Sequence, residues 1–116
     1  MAFAYSQLTP ITTIASSVGA VYTNPSSKTS YIRSIVIHNT NTTAETVALH
    51  NVPDNSGSVG TAAATNQFYK TSVAADTTIM IEFPVPGIIL SDTNDTIQAS
   101  TTTASKVTIQ ISGATE

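Results

Sequence analysis

The feature that most constrains this chain is a period of two in its apolar residues. In Lys106-Val107-Thr108-Ile109-Gln110-Ile111-Ser112, the side chains of Val107, Ile109 and Ile111 alternate with Thr108, Gln110 and Ser112. Successive side chains of an extended backbone point to opposite faces, so this segment is amphipathic only as a strand. Thr78-Ile79-Met80-Ile81-Glu82-Phe83 places Ile79, Ile81 and Phe83 on one side, and Thr46-Val47-Ala48-Leu49-His50-Asn51-Val52 places Val47 and Leu49 together. Tyr31-Ile32-Arg33-Ser34-Ile35-Val36-Ile37-His38 is rich in β-branched residues and too short in period for a helix. Weaker candidates lie at 19–23, 67–73, 87–90 and 96–101. That makes about eight short strands separated by turn signals, the spacing of a sandwich or barrel. The fold class expected is all-β, a single-domain β-sandwich of jelly-roll or immunoglobulin-like type.

Turns are marked by Pro53-Asp54-Asn55-Ser56-Gly57, Pro84-Val85-Pro86-Gly87 and Ser91-Asp92-Thr93-Asn94-Asp95. Residues 56–65, rich in Gly, Ser and Ala, are expected as a mobile hairpin tip. Residues 1–17 lack clear alternation and are expected as an extended N-terminal arm, with the sandwich domain over 18–116. Phe3 and Tyr5 fall in that arm, where apolar anchors suit docking onto a partner.

Composition then narrows function. Charged residues are only 9% of the chain, against roughly 25% in an average soluble domain. Ser and Thr account for 35 of the 116 residues. Four cations, spread singly at Lys28, Arg33, Lys70 and Lys106, argue against a nucleic-acid partner bound through phosphates. They are expected to be ordinary solvated side chains. The absence of Cys excludes disulfides and thiolate sites. No window approaches the ~18 apolar residues of a membrane span, so no membrane partner is expected. Met1 to Leu8 carry no basic or sustained apolar run, and the expectation is cytosolic synthesis in a cell with no secretion step for this chain. The sequons at Asn41-Thr42-Thr43 and Asn94-Asp95-Thr96 are then chance products of a Thr-rich chain.

Site chemistry is sparse. His38 and His50 with Glu45 could make a two-His, one-carboxylate metal site, but no close spacing supports it, and they are expected as polar strand residues. Asp92 to Thr96 is like the start of a calcium loop, yet Ile97 stands where Gly is needed and Thr103 where Glu is needed. An Asx-type turn is expected there. There is no G-x-S-x-G elbow, and Glu82, the one acid well inside an expected strand, should point outward. Gly57-Ser58-Val59-Gly60 lacks the Lys and helix of a phosphate cradle. No enzyme activity, metal or cofactor is expected. Phe68 and Tyr69 are adjacent in an expected strand, so one ring should face the core and one the surface.

Strands such as 107–112 have high β-propensity and few charges nearby, so some edges are expected to be covered by other chains. An uncharged polar surface forms hydrogen bonds without the cost of desolvating charge, which suits crowded identical copies. The run Ser30-Tyr31-Ile32-Arg33-Ser34-Ile35-Val36-Ile37-His38-Asn39-Thr40, then Glu45-Thr46-Val47-Ala48-Leu49, then Pro86-Gly87-Ile88-Ile89-Leu90-Ser91-Asp92-Thr93-Asn94-Asp95-Thr96-Ile97-Gln98-Ala99 resembles small structural proteins of tailed bacteriophages. The resemblance spans roughly residues 30 to 112. It implies a virion component similar to capsid decoration, or cement, proteins, located on the capsid surface. Such a protein stabilises the head by bridging subunits of the major capsid protein and acts as a homotrimer or homodimer. The alternatives are a tail or fibre component, or an adhesin that binds host glycan; a small carbohydrate-binding module would need a flat aromatic platform, and the chain has no Trp.

Overall fold

The computed structural model describes residues 4–116, and in these the period-two segments become strands. The elements are β1 (Ser6–Thr13), β2 (Gly19–Thr23), β3 (Ser30–Asn39), β4 (Glu45–Val52), β5 (Gln67–Val73), β6 (Thr78–Glu82), β7 (Ile88–Leu90), β8 (Thr96–Thr101) and β9 (Val107–Thr115). A single 3-10 turn lies at Ala64–Asn66. Two antiparallel sheets result. The first runs β1-β9-β3-β6, with β7 following β6 along the same edge of β3; the second runs β2-β8-β4-β5.

The pairing is nested. β4 pairs β5, β3 pairs β6 and β7, β2 pairs β8, and β1 pairs β9. The chain is thus one long antiparallel ribbon folded at the β4–β5 connection. Rolling that ribbon adds the β3·β9 and β4·β8 pairs. Successive pairs along the ribbon alternate between the two sheets, and the inner faces meet. Ile32, Ile35 and Ile37 of β3 and Ile109 and Ile111 of β9 pack with Val47 and Leu49 of β4 and Ile97 and Ala99 of β8, all buried. Full burial of one such branched side chain contributes about 1.5–3 kcal/mol.

Several expectations change. β9, the clearest alternating segment, is not an edge: β1 covers one side and β3 the other. The real edges are β1, β2, β5 and the β6–β7 row, and each is broken up. β1 carries Pro10 and two register shifts, β2 one shift, and β5 one shift and the exposed Lys70. Pro84 and Pro86 interrupt the β6–β7 row. Bulges and prolines of this kind discourage pairing with a foreign strand.

Much of the expected arm is itself β1, hydrogen-bonded to β9, and Ile14 just beyond it is buried in the core. The two shifts in β1 throw Leu8 and Thr9 inward in succession and leave Ile11 exposed, so its sequence shows no alternation. Phe68 and Tyr69 do not face opposite ways. Tyr69 opposes Leu49 and Gln67 opposes His50, leaving Phe68 as an extra bulged residue; both rings pack on the core, Phe68 edge-on to Phe83 at 6.3 Å.

Residues 56–65 are pinned rather than free. At the tip, Asn55 and Ser58 exchange backbone hydrogen bonds around Ser56 and Gly57, both with positive φ, the geometry of a primed hairpin turn. The segment then lies over the outer face of the second sheet. Asn94 Nδ2 donates to the Gly57 carbonyl (2.9 Å), Gln98 Nε2 to the Gly60 carbonyl (3.1 Å), and His50 Nδ1 lies 3.1 Å from the Ala63 carbonyl.

A bulge also interrupts β3. Ile32 opposes Gly113 and Ser34 opposes Ser112, so Arg33 has no partner on β9. Here the backbones approach closely: a Cβ on Gly113 would run into the Tyr31 carbonyl oxygen. Gly113→Ala is expected to destabilise the fold by about 1–3 kcal/mol, the scale of overpacking, read as a lower urea midpoint with unchanged slope.

Candidate binding face

The β3 bulge decides what the outer face of the first sheet presents. An extra residue breaks the alternation, and Arg33 joins Ser34 on the side away from the core. Arg33 Nη1 donates to the Tyr5 hydroxyl (2.8 Å) and Nε to the Phe83 carbonyl (3.2 Å), and the guanidinium carbon lies 5.6 Å from the centre of the Tyr5 ring. A cation over an aromatic ring contributes about 0.5–1 kcal/mol at an exposed site. Arg33 is therefore not the ordinary solvated cation its sequence context suggests. The signal was the three-residue step from Ile32 to Ile35, which breaks the period of two.

Around this pair lies a depression of about 80 Å³ lined by Tyr5, Tyr31, Arg33, Val85, Pro86 and Ala114. A wider groove of about 340 Å³ shares Tyr5 and Arg33 with it and continues past Met80, Glu82 and Ser112. The Tyr31 hydroxyl donates to Glu116 Oε2 at 2.6 Å, and Glu116 is itself held by two backbone hydrogen bonds with Thr29. The bond to the Glu116 carboxylate, then burial, then the Glu116 charge hold the Tyr31 hydroxyl protonated to a higher pH than an ordinary tyrosine. Tyr5, expected as an anchor on a free arm, is bound to its own sheet and still 65% exposed. Phe3 lies outside the described residues.

The candidate metal residues do not converge. His38 is on β3 of the first sheet, with Nδ1 2.7 Å from the Thr78 hydroxyl and Nε2 3.5 Å from Asp76, whose side chain is 89% exposed. Water screens such a pair strongly. His50 is on β4 of the second sheet. Its Nδ1 faces two acceptors, the Ala63 carbonyl and Asn66 Oδ1, so that nitrogen carries the hydrogen. Among the described residues no group of three or more His, Asp or Glu could hold a metal ion.

The acidic turn is used structurally. Asp95 Oδ2 accepts from the backbone N–H groups of Ser91 and Asp92, and Oδ1 from that of Asp54. Its bonds run back to preceding residues, unlike an Asx turn, and they tie the β7–β8 connection to the end of β4. Glu82 is exposed, as its alternation implied.

Glu45 is a buried staple. It accepts from Thr103 N (2.7 Å) and Asn41 Nδ2 (3.0 Å), joining the β3–β4 and β8–β9 loops. Burial alone would push its carboxyl up; the bonds from Asn41 and Thr103 and the charge of Lys106 outweigh that and hold it below the ordinary carboxylate range.

The sequence matches no family model and no curated protein. What the molecule does must be read from these surfaces.

Because Glu45 binds its proton less readily folded than unfolded, its contribution is complete above the unfolded carboxyl value, about 4.3, and is lost as pH falls through its lower folded value. Melting temperature should drop on acidification below about pH 5. In Glu45→Gln the drop should be shallower, so the gap between the two proteins closes at low pH; a constant gap would remove the staple from the account.

Proposed function

We propose that this chain is a virion structural protein of a tailed bacteriophage, a capsid decoration protein that stabilises the head by bridging subunits of the major capsid protein. The nested pairing β1·β9, β2·β8, β3·β6 and β4·β5, rolled into sheets β1-β9-β3-β6 and β2-β8-β4-β5, supports a jelly roll. In an immunoglobulin-like sandwich the first two strands share a sheet; here they lie in different ones. Jelly rolls recur in viral shells and in lectins, so topology by itself does not choose a function.

The observation that carries the reading is the distribution of exposed apolar side chains. Of seven large ones among the described residues, Tyr5, Met80, Val85 and Ile89 lie on the outer side of the first sheet and Ile11 on its β1 edge. A patch of this kind on a weakly charged domain suits permanent contacts with other subunits. A homotrimer or homodimer would repeat each capsid contact, and linked weak contacts give strong net attachment through effective concentration. Edge strand β1 and the segment before it would supply the contact to the shell.

A second reading, a tail or fibre component or a host-glycan adhesin, draws on a polar groove of about 300 Å³ on the opposite face, lined by residues including Thr46, His50, Gln67, Lys70 and Thr102. None of its lining residues is Phe, Tyr or Trp, and sugar rings bind best by stacking on such aromatic faces.

The test is to mix the purified protein with separated heads and tails that lack it. Co-sedimentation with heads, and greater resistance of those heads to heat and osmotic shock, is expected because the protein binds the assembled state. Binding to tails alone, or to host glycans but no particle, would transfer the assignment to the second reading.

A further inference from the structure

We propose that the outer face of the first sheet is where a second copy of this chain docks, related by a two-fold axis, with Arg33 of each copy against Glu82 of the other. The inference deepens the self-association in the proposed function and rests on that part of it. A two-fold interface uses one patch on both partners, so the patch must complement itself.

This face meets that demand. Its apolar part comprises Tyr5, Met80, Val85 and Ile89, with Val36 half-buried beside Met80. At its centre stand one cation and one anion: Glu82 opposes Ser34 on the neighbouring strand, next to the bulged Arg33, while the Glu116 carboxylate held by Tyr31 and the His38–Asp76 pair lie towards its two ends. Among the described residues neither makes an ion pair, the only one being His38 with Asp76. An acidic partner would satisfy Arg33 and repel Glu82, and a basic partner the reverse. A second copy turned by half a revolution satisfies both. Ser34, Ser112 and Gln110 surround the central pair with groups that both donate and accept hydrogen bonds.

The dimensions are adequate. The molecule measures 44 × 30 × 20 Å, so its broad side exceeds the roughly 800 Å² that each partner buries in a standard interface. The opposite broad side is unsuited to the same role, since the pinned segment 56–65 crosses it and polar residues occupy the rest.

The experiment is sedimentation equilibrium on the full chain over a wide concentration range. A monomer–dimer equilibrium is expected. Arg33→Glu and Glu82→Arg should each weaken it by at least about tenfold, as for charge pairs enclosed in interfaces, and the double exchange should recover most of the loss. Arg33→Glu also removes the bonds to Tyr5 and Phe83, so Met80→Ser serves as a second variant at an exposed site. It should weaken dimerisation while leaving the melting curve unchanged at dilutions where both proteins are monomers. A monomer at every concentration, a trimer, or a dimer indifferent to all of these substitutions would overturn the proposal. A monomer that still coats heads would overturn it while leaving the proposed function standing; a dimer with these sensitivities that attaches to no particle would do the reverse.

Discussion

The back-to-back packing of two strand pairs, β3·β9 in one sheet and β4·β8 in the other, is the constraint on which the molecule depends. These four strands carry ten of the thirteen fully buried Val, Leu and Ile side chains. Because the ribbon is rolled, chain neighbours among the first four strands lie in opposite sheets and their connections cross the open ends of the sandwich. Those ends cannot be closed by apolar residues alone, since crossing loops bring unpaired backbone groups with them. Buried polar side chains do it instead. Asn39 Nδ2 donates to the carbonyls of Thr43 and Val73, and Asn24 Nδ2 to those of Lys28 and Asp92, while Glu45 and Asp95 accept backbone N–H groups. Thr9 bridges the two sheets at the β1–β2 edge through a bond from its hydroxyl to the Val21 carbonyl. Among the described residues no buried side-chain polar atom lacks a partner.

That division of labour explains which parts of the fold were legible in the sequence. β9, β6, β4 and most of β3 have unbroken pairing with a neighbour and one face on the core, so their core-facing side chains recur at every second residue. The edge strands β1, β2 and β5 each contain a bulge, and a bulge shifts every later side chain to the other face. β1 has two and was invisible as a strand. Val21 and Tyr22, like Phe68 and Tyr69, are consecutive residues that both pack on the core because a bulge separates them. The fate of residues 56–65 depended on long-range bonds from Asn94, Gln98 and His50, and no local pattern encodes those.

The candidate face was the least legible part, for a related reason. Its central residue, Arg33, has no distinguishing neighbours, and its role follows from a backbone irregularity opposite Gly113. The lining residues come from four places in the chain: Tyr5, Tyr31 to Ser34, Met80 to Pro86, and Ser112 to Ala114. Only the rolled pairing brings the segment before β1, the middle of β3 and the end of β9 side by side. Alternation correctly put Glu82 outside but could not say what stood beside it.

A surface so poor in charge gives each charge on it more weight. On an ordinary domain, with about a quarter of its residues charged, one Arg and one Glu are lost among many competing pairings. Here the centre of the first sheet's outer face offers Arg33 and Glu82 against a background of Ser, Gln and apolar side chains. Apolar burial is non-directional and would tolerate many relative rotations of two flat faces. A single plus–minus pair off the axis does not, because every rotation except the half-turn leaves a charge facing apolar or like-charged surface and pays the desolvation cost without compensation. In the proposed assembly the apolar side chains would supply the adhesion, and the one charge pair would choose the geometry.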